Sequence, residues 1–107
     1  MTTGISPTGR TGHTATAVGN KLIIYGGMAR TTKAAAEVFD DAFVLNTDTF
    51  EWSQLSTAFE PPNPPGRRLD HDICVVSSES DEVTLMLFGG MDFQHMYNDM
   101  FELKLAL

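Results

Sequence analysis

The chain has 107 residues, of which seven are basic and fourteen acidic, so its formal charge is −7. This charge excludes a phosphate-binding surface, which needs clustered Lys and Arg, and no apolar run approaches the roughly 18 residues that span a bilayer. A hydrophobic content of 42% is ordinary for a globular domain. The acidic charge and the short apolar runs therefore predict no nucleic-acid partner and no membrane insertion, and the single cysteine and an N-terminus unlike a signal peptide predict a cytoplasmic protein.

The first half of the chain predicts four short strands, a to d, at residues 14–18, 22–25, 42–45 and 50–55. Gly19 and Asn20 form a tight turn between strands a and b, because both residue types tolerate positive φ. The polar segment 46–49 predicts a turn between c and d that is stabilised by side-chain bonds to its own backbone. Within the b–c connection, the alanine-rich segment 34–39 favours a single turn of helix.

The second half predicts three strands, at residues 73–76, 83–88 and 100–105, with the acidic segment 77–82 as the first connection. A fourth strand is missing, because the equivalent of Trp52 would be residue 110. Four prolines in segment 61–66 predict an extended connector between the two halves.

The two halves are repeats of one another. Arg10-Thr-Gly-His13 and Arg68-Leu-Asp-His71 lie 58 residues apart, and the same offset relates Asp41 to Asp99. The strands that end in Gly-Gly, residues 22–28 and 85–91, match at an offset of 63. The five-residue difference lies in polar connections, where insertions are tolerated, so the strands stay aligned.

Several repeated residues have predicted structural roles. Two adjacent glycines at a strand end allow a turn through positive φ and the close approach of a bulky ring, for which Trp52 is the candidate. Arg10 and Arg68 precede strand a, where a guanidinium with five donors can tie backbone carbonyls of adjacent repeats together.

These motifs, together with the Thr-Asp-Thr-Phe-Glu-Trp segment of strand d, resemble the kelch repeat. The resemblance implies an all-β fold of two four-stranded antiparallel propeller blades, the second incomplete. Residues 1–107 would form a partial propeller, with repeat 1 at 7–60, the proline-rich connector at 61–66 and repeat 2, without its outer strand, at 67–107. The implied structural residues are Arg10, His13, Gly26, Gly27, Asp41, Trp52, Arg68, His71, Gly89, Gly90 and Asp99.

Each blade buries its apolar faces against its neighbours, and propellers close with about four to eight blades. We therefore expect further kelch blades, from a longer chain or from other subunits. The resemblance implies a protein-interaction module, an adaptor or scaffold whose protein partner docks on the b–c and d–a loops. The candidate partner-binding residues are Met28, Arg30, Lys33, Arg67, Asp92, Phe93, His95 and Tyr97.

Two alternatives remain open. One is a structural subunit that is permanently part of a larger assembly, and the other is a metal- or cofactor-dependent propeller enzyme. The enzyme is disfavoured, because Leu45 stands where a Glu-x3-Asp-x3-His pattern starting at Glu37 would need its histidine. His13 and His71 repeat in structural positions, and Cys74 is expected to be a small buried residue. We therefore predict no catalytic residues, no metal and no cofactor.

Overall fold

The computed structural model describes residues 1–55, 66–79 and 82–106. These residues form an all-β fold, as predicted, and residues 61–65 of the proline-rich connector lie outside them. The ten strands are β1 (Thr3–Gly4), β2 (Thr14–Val18), β3 (Lys21–Tyr25), β4 (Met28–Arg30), β5 (Ala36–Val38), β6 (Ala42–Asn46), β7 (Glu51–Gln54), β8 (Asp72–Glu79), β9 (Glu82–Phe88) and β10 (Met100–Ala106).

The first repeat forms one sheet in the order β1-β7-β6-β3-β2, in which β2, β3, β6 and β7 are the predicted strands a to d. Gly19 has φ +56° in the turn between β2 and β3. In the turn between β6 and β7, Asn46 Oδ1 accepts bonds from the amides of Asp48 and Thr49 at 2.9 and 3.1 Å. Both turns therefore have the predicted chemistry.

The sheet has a fifth strand, β1, that no sequence pattern predicted. β1 pairs in parallel with β7, and the Thr3 amide donates to the Phe50 carbonyl at 2.9 Å. A two-residue strand is too short to show any alternation of apolar and polar residues, so periodicity could not detect it.

The second repeat forms a three-stranded antiparallel sheet in the order β10-β9-β8. Strand β8 continues to Glu79, beyond the predicted end at residue 76, with a bulge between Val75 and Ser77. The strand is longer than predicted because residues 77–79 pair with β9 through their backbones. Residues 77–79 are therefore strand, and the prediction that they form a connection was wrong.

The b–c connection of the first repeat contains a two-stranded ribbon instead of the predicted turn of helix. β4 pairs antiparallel with β5, so that Met28 faces Val38 and Arg30 faces Ala36. Val38 is buried, whereas the alanines are exposed. Alanine has the highest helix propensity of the residues, but propensity is a small energy per residue, and the ladder with β4 and the burial of Val38 override it.

The core lies between the two sheets. From the first repeat it contains alternate residues of β3 and β6, and from the second repeat alternate residues of β9 and β10, as expected where one face of each strand is buried. Its buried members are Ile23, Tyr25, Ala42, Val44, Val83, Leu85, Leu87, Leu103 and Leu105. Packing of one sheet on the next is the arrangement that the resemblance implies.

The glycine pairs allow this close approach. Gly26 and Gly27 have φ of +68° and +94°, and Gly89 and Gly90 have nearly the same values. A Cβ on Gly26 would lie 2.7 Å from the Arg68 carbonyl oxygen and 2.8 Å from His71 Cε1. The ring that approaches this glycine is therefore the His71 imidazole of the second repeat. The predicted ring was that of Trp52, a residue whose backbone lies against Gly4.

Candidate functional site

Each repeat is fastened by one buried arginine. Arg10 Nη1 donates to the Gly26 carbonyl at 3.0 Å, and Arg10 Nη2 donates to Asp41 Oδ2 at 3.1 Å. The guanidinium also lies over the Phe39 ring, 4.2 Å from its centroid. All these contacts lie within the first repeat, and the predicted bonds to carbonyls of an adjacent repeat are not among them.

Arg68 makes the equivalent contacts in the second repeat. Its Nη1 donates to the Gly89 carbonyl and to Asp99 Oδ1, both at 2.8 Å, and its guanidinium lies 4.4 Å from the centroid of the Tyr97 ring. The Arg68 side chain is 1% exposed. Because the arginine holds the end of strand b, the start of strand c and the b–c loop together, it fixes where that loop begins.

Backbone groups and one histidine join the two repeats. The Gly27 amide donates to the Arg68 carbonyl at 2.9 Å, and the Asp70 amide donates to the Gly12 carbonyl at 2.8 Å. His71 Nε2 lies 2.9 Å from Thr14 Oγ1. Burial, and secondarily the positive charge of Arg68, lower the pKa of His71 to about 4, so this histidine is neutral at pH 7.

His13 and His71 occupy the same place within their own repeats. A Cβ on Gly27 would lie 2.9 Å from His13 Cβ, and a Cβ on Gly90 would lie 2.9 Å from His71 Cβ. They differ in their outer surroundings, because His71 packs on the first repeat and is buried, whereas His13 is exposed.

The b–c loop of the second repeat, residues 91–97, is organised by Asp92. Its Oδ1 accepts bonds from the Gln94 and His95 amides, each at 2.7 Å, and its Oδ2 accepts a bond from the Tyr97 hydroxyl at 2.7 Å. These donors, above all the Tyr97 hydroxyl, hold the pKa of the Asp92 carboxyl well below its usual range. The same bond raises the pKa of Tyr97. Asp92 therefore shapes the loop through its own bonds.

A groove of about 330 Å³ lies between the two b–c loops. It brings together the β4–β5 ribbon, the d–a connection and the loop 91–97, and its lining consists of Ala36, Glu37, Val38, Arg67, Asp92, Phe93 and Gln94. We call it the loop groove. Arg67 bridges one wall, because its Nη1 donates to the Val38 carbonyl at 2.9 Å and lies 3.8 Å from Glu37 Oε1.

The structure brings three of the eight predicted partner-binding residues into the loop groove: Arg67, Asp92 and Phe93. The other five lie around it or below it. Arg30 and Lys33 are exposed at the tip of the ribbon, where Arg30 Nη1 donates to the Lys33 carbonyl at 3.1 Å. Half-buried Met28 pairs with Val38 and Thr11. Tyr97 packs on Arg68, and His95 is exposed beside Asp92.

Glu37, Val38 and Gln94 line the groove but were not predicted as site residues. A prediction of strand at residues 36–38 would have placed Glu37 and Val38 on the ribbon. The alanines at 34–36 favoured helix instead, so no strand was predicted there. Gln94 carries no sequence signal beyond its place next to Phe93.

Two other sequence-based expectations concern chemistry. Cys74 lies in strand a as expected but is exposed, so the expectation that it is buried was wrong. It belongs to the face of the second sheet that points away from the first repeat. In the described ranges no three His, Cys, Asp or Glu side chains are close enough to hold a metal ion. These ranges also contain no helix that is long and apolar enough to cross a membrane.

Two glycine-ended sheets that pack side by side, each fastened by an arginine before its first strand, define blades of a β-propeller. The chain matches the model of the KLHDC2/KLHL20/DRC7 Kelch-repeats domain over residues 1–106. The chain therefore belongs to the kelch-repeat family, whose domains are generally protein-interaction modules.

Curated relatives agree with this assignment. The chain is 37% identical to the Kelch domain-containing protein 2 of Bos taurus over 84% of its own length, and 35% identical to the Rab9 effector protein with kelch motifs of Danio rerio over 95%. It is 28% identical to the Kelch repeat-containing protein 2 of Saccharomyces cerevisiae over 89%. The chain spans 19%, 26% and 10% of the length of these relatives, respectively.

Proposed function

We propose that the chain binds a partner protein across the loop groove and acts as an adaptor or scaffold without catalysing a reaction. The observation that carries this proposal is the convergence of the two b–c loops and the d–a connection on one groove, in which Phe93 is 57% exposed. Loops held by a rigid scaffold are where binding residues generally lie.

The chemistry of the groove favours an extended peptide segment. Phe93 and Val38 offer apolar surface, whereas Arg67 and Glu37 keep side chains that are 57% and 51% exposed for polar contacts. Aromatic and arginine side chains are the types enriched in interaction hot spots. Asp92 is engaged by its own loop, so it contributes shape more than a free charge.

Selection from a displayed library of random peptides tests this proposal. We expect the chain to enrich peptides that carry an apolar residue, and Phe93→Ala with Arg67→Glu to lower their affinity at least tenfold. Phe50→Ala is the matched control, because Phe50 is 52% exposed near the c–d turn, at the opposite end of the sheet. Equal loss of binding in the control variant, or no loss in the groove variant, would contradict the proposal.

A second function, that of a subunit embedded in a larger assembly, is favoured by a different observation. The outer face of the second sheet exposes Phe88 and Met100, at 51% and 60%. The native mass of the assembled species in a cell extract tests this alternative. The cytoplasmic location remains a prediction, to be tested by imaging of a tagged chain.

A further inference from the structure

The ribbon of the first repeat belongs to a loop that is longer than its equivalent in the second. The Phe39 amide donates to the Gly27 carbonyl at 2.8 Å, and the Tyr97 amide donates to the Gly90 carbonyl at 2.9 Å, so these bonds close equivalent loops. The loop of the first repeat is five residues longer, and it contains the β4–β5 hairpin. Insertions on one face of a repeat protein often form the binding part of that face.

The backbone bonds of β4 determine which groups of β5 point outward. The Met28 amide donates to the Thr11 carbonyl at 2.8 Å, and the Met28 carbonyl accepts a bond from the Thr11 amide at 2.9 Å. Both backbone groups of Met28 therefore point away from β5. Because hydrogen-bonded and non-hydrogen-bonded pairs alternate along an antiparallel ladder, Met28 with Val38 and Arg30 with Ala36 are non-hydrogen-bonded pairs.

The backbone groups of Ala36 and Val38 therefore point to the outer side of β5, which we call the β5 edge. Arg67 Nη1 donates to the Val38 carbonyl at 2.9 Å. Within the described residues, the Ala36 amide, the Ala36 carbonyl and the Val38 amide have no hydrogen-bond partner. Unpaired donors and acceptors along a strand edge are a template for another extended chain.

The β5 edge faces the loop groove. Arg67 lines this groove and reaches the Val38 carbonyl from it. Phe93 and Gln94 of the loop 91–97 form the other side, so an extended segment in the groove would lie between the β5 edge and that loop. Phe93 is 57% exposed and offers apolar surface to one side chain of such a segment.

Positive charge is concentrated around the β5 edge. Arg30 and Lys33 are exposed at the tip of the ribbon, and the side chain of Arg67 is 57% exposed beside it. These are three of the seven basic residues in a chain whose formal charge is −7. Complementary charge favours a partner segment that carries Asp or Glu.

We propose that the partner segment binds as an added β-strand on the β5 edge, and that it is an extended acidic peptide segment with one apolar side chain against Phe93. In this mode the backbone bonds hold the segment, and the surfaces beside them select alternate side chains. The inference rests on the proposed function, because it uses the loop groove, and it adds how the partner is held. An internal segment of the partner is sufficient, since no chain end takes part.

N-methylated peptides test the backbone bonds while the whole chain stays unmodified. The probe is the nine-residue peptide that the displayed library enriches most, with acetylated and amidated ends, and calorimetry measures its affinity after one backbone amide at a time is methylated. The amide that donates to the Ala36 carbonyl points at β5, whereas its two neighbours in the peptide point away. We expect methylation at this one position to weaken binding at least about tenfold, and at its neighbours less than about threefold. A profile without such a position, or enriched peptides without Asp or Glu, would overturn the proposal.

A proline on β5 tests the same bonds from the side of the protein. Ala36→Pro removes the Ala36 amide hydrogen, which takes no part in the ladder with β4, and proline is tolerated on edge strands. Ala36→Ser is the matched control, because it keeps the amide at nearly the same side-chain size. We expect the probe to bind the proline variant at least about tenfold more weakly and the serine variant less than about threefold more weakly. Equal affinities of the two variants would contradict the added strand.

Hydrogen exchange on the unmodified chain gives a measurement that does not depend on how the proline variant folds. Binding of the probe should slow exchange of the Val38 amide at least about tenfold, because this amide gains a partner. The Glu37 amide points to β4 and should change less than about threefold. Unchanged exchange at Val38 in the saturated complex would overturn the proposal.

The outcomes separate this inference from the proposed function. If the variant with Phe93→Ala and Arg67→Glu loses the probe but the N-methylated peptides all bind normally, the groove holds its partner through side chains alone and the added strand is wrong. If the library yields no peptide whose binding depends on the groove, the proposed function and this inference are both wrong.

Discussion

His71 Nε2 lies 2.9 Å from Thr14 Oγ1, and this contact joins the first strands of the two repeats. The imidazole also meets the Tyr25 ring edge-on, with 5.2 Å between centroids. A charged imidazole in this place would lose its hydration and would lie near the Arg68 guanidinium. The contact therefore needs the neutral form of the histidine.

Stability should fall as His71 becomes protonated. The unfolded chain binds the proton near pH 6.5, whereas the folded chain does so only at about pH 4, so the free energy of unfolding decreases between these values and by at most about 3 kcal/mol. Urea denaturation of dilute protein from pH 7 to pH 4.5 measures this slope. His71→Gln should flatten the slope, and His95→Gln, at an exposed position, should keep it; equal slopes in both variants would contradict this assignment.

Equivalent glycines should respond differently to the same substitution. Gly26→Ala and Gly89→Ala both place alanine at φ +68°, which costs about 1–2 kcal/mol, but at Gly26 the Cβ also meets the Arg68 carbonyl and His71. We expect Gly26→Ala to be the more destabilising by about 1–3 kcal/mol, which is the usual cost of overpacking. Chemical denaturation of the two variants at a concentration where the chain is monomeric gives the difference. Similar values would mean that the repeats do not pack at Gly26.

The buried ion pair of the second repeat should matter more than the exposed one. Asp99→Ala leaves the Arg68 guanidinium, 1% exposed, without its carboxylate, and should destabilise the fold by about 2–4 kcal/mol. Glu102→Gln removes the exposed pair with Lys104 and should change the free energy of unfolding by less than about 0.5 kcal/mol. Thermal and urea denaturation compare the two, and equal effects would argue against a structural role for the buried pair.

The loop 91–97 should depend on the Asp92 carboxylate. Asp92→Ala removes the acceptor of the Gln94 and His95 amides, so hydrogen exchange at these amides should accelerate about fivefold or more. The Tyr97 hydroxyl loses its partner as well, and the pKa of Tyr97 should fall. Nuclear magnetic resonance measures both changes. Asp92→Asn, which keeps an acceptor oxygen, is the control and should have the smaller effect on exchange.

Much of the fold followed from local sequence patterns. Short strand-forming runs between turn signals predicted seven of the ten described strands, to within three residues of their bounds, and Gly19 and Asn46 predicted their turns for the reasons that the structure shows. The kelch family was recognised because its motifs occur twice in the same order. The repeated motifs did not show which face of each strand is packed against the other repeat. Cys74, which was expected to be buried, is exposed.

The residues of the loop groove were harder to predict. Phe93 and Arg67 were selected because they lie in loops that the family resemblance places on one face, but Glu37 and Val38 depend on the β4–β5 ribbon. That ribbon is a hairpin whose two strands pair across residues 31–35, and the local preference of alanine for helix gives no sign of the pairing.

The sequence by itself determined the identity of the strands, their repeat and the special backbone at the glycine pairs, because these depend on properties of single residues and of near neighbours. Only the tertiary structure decided that His71 is buried while His13 is exposed, and that a Cβ would meet the other repeat at Gly26 but only the Tyr97 carbonyl oxygen, at 3.4 Å, at Gly89. The reason is that equivalent residues in stacked repeats have the same local conformation but different neighbours, and burial is a property of the neighbours.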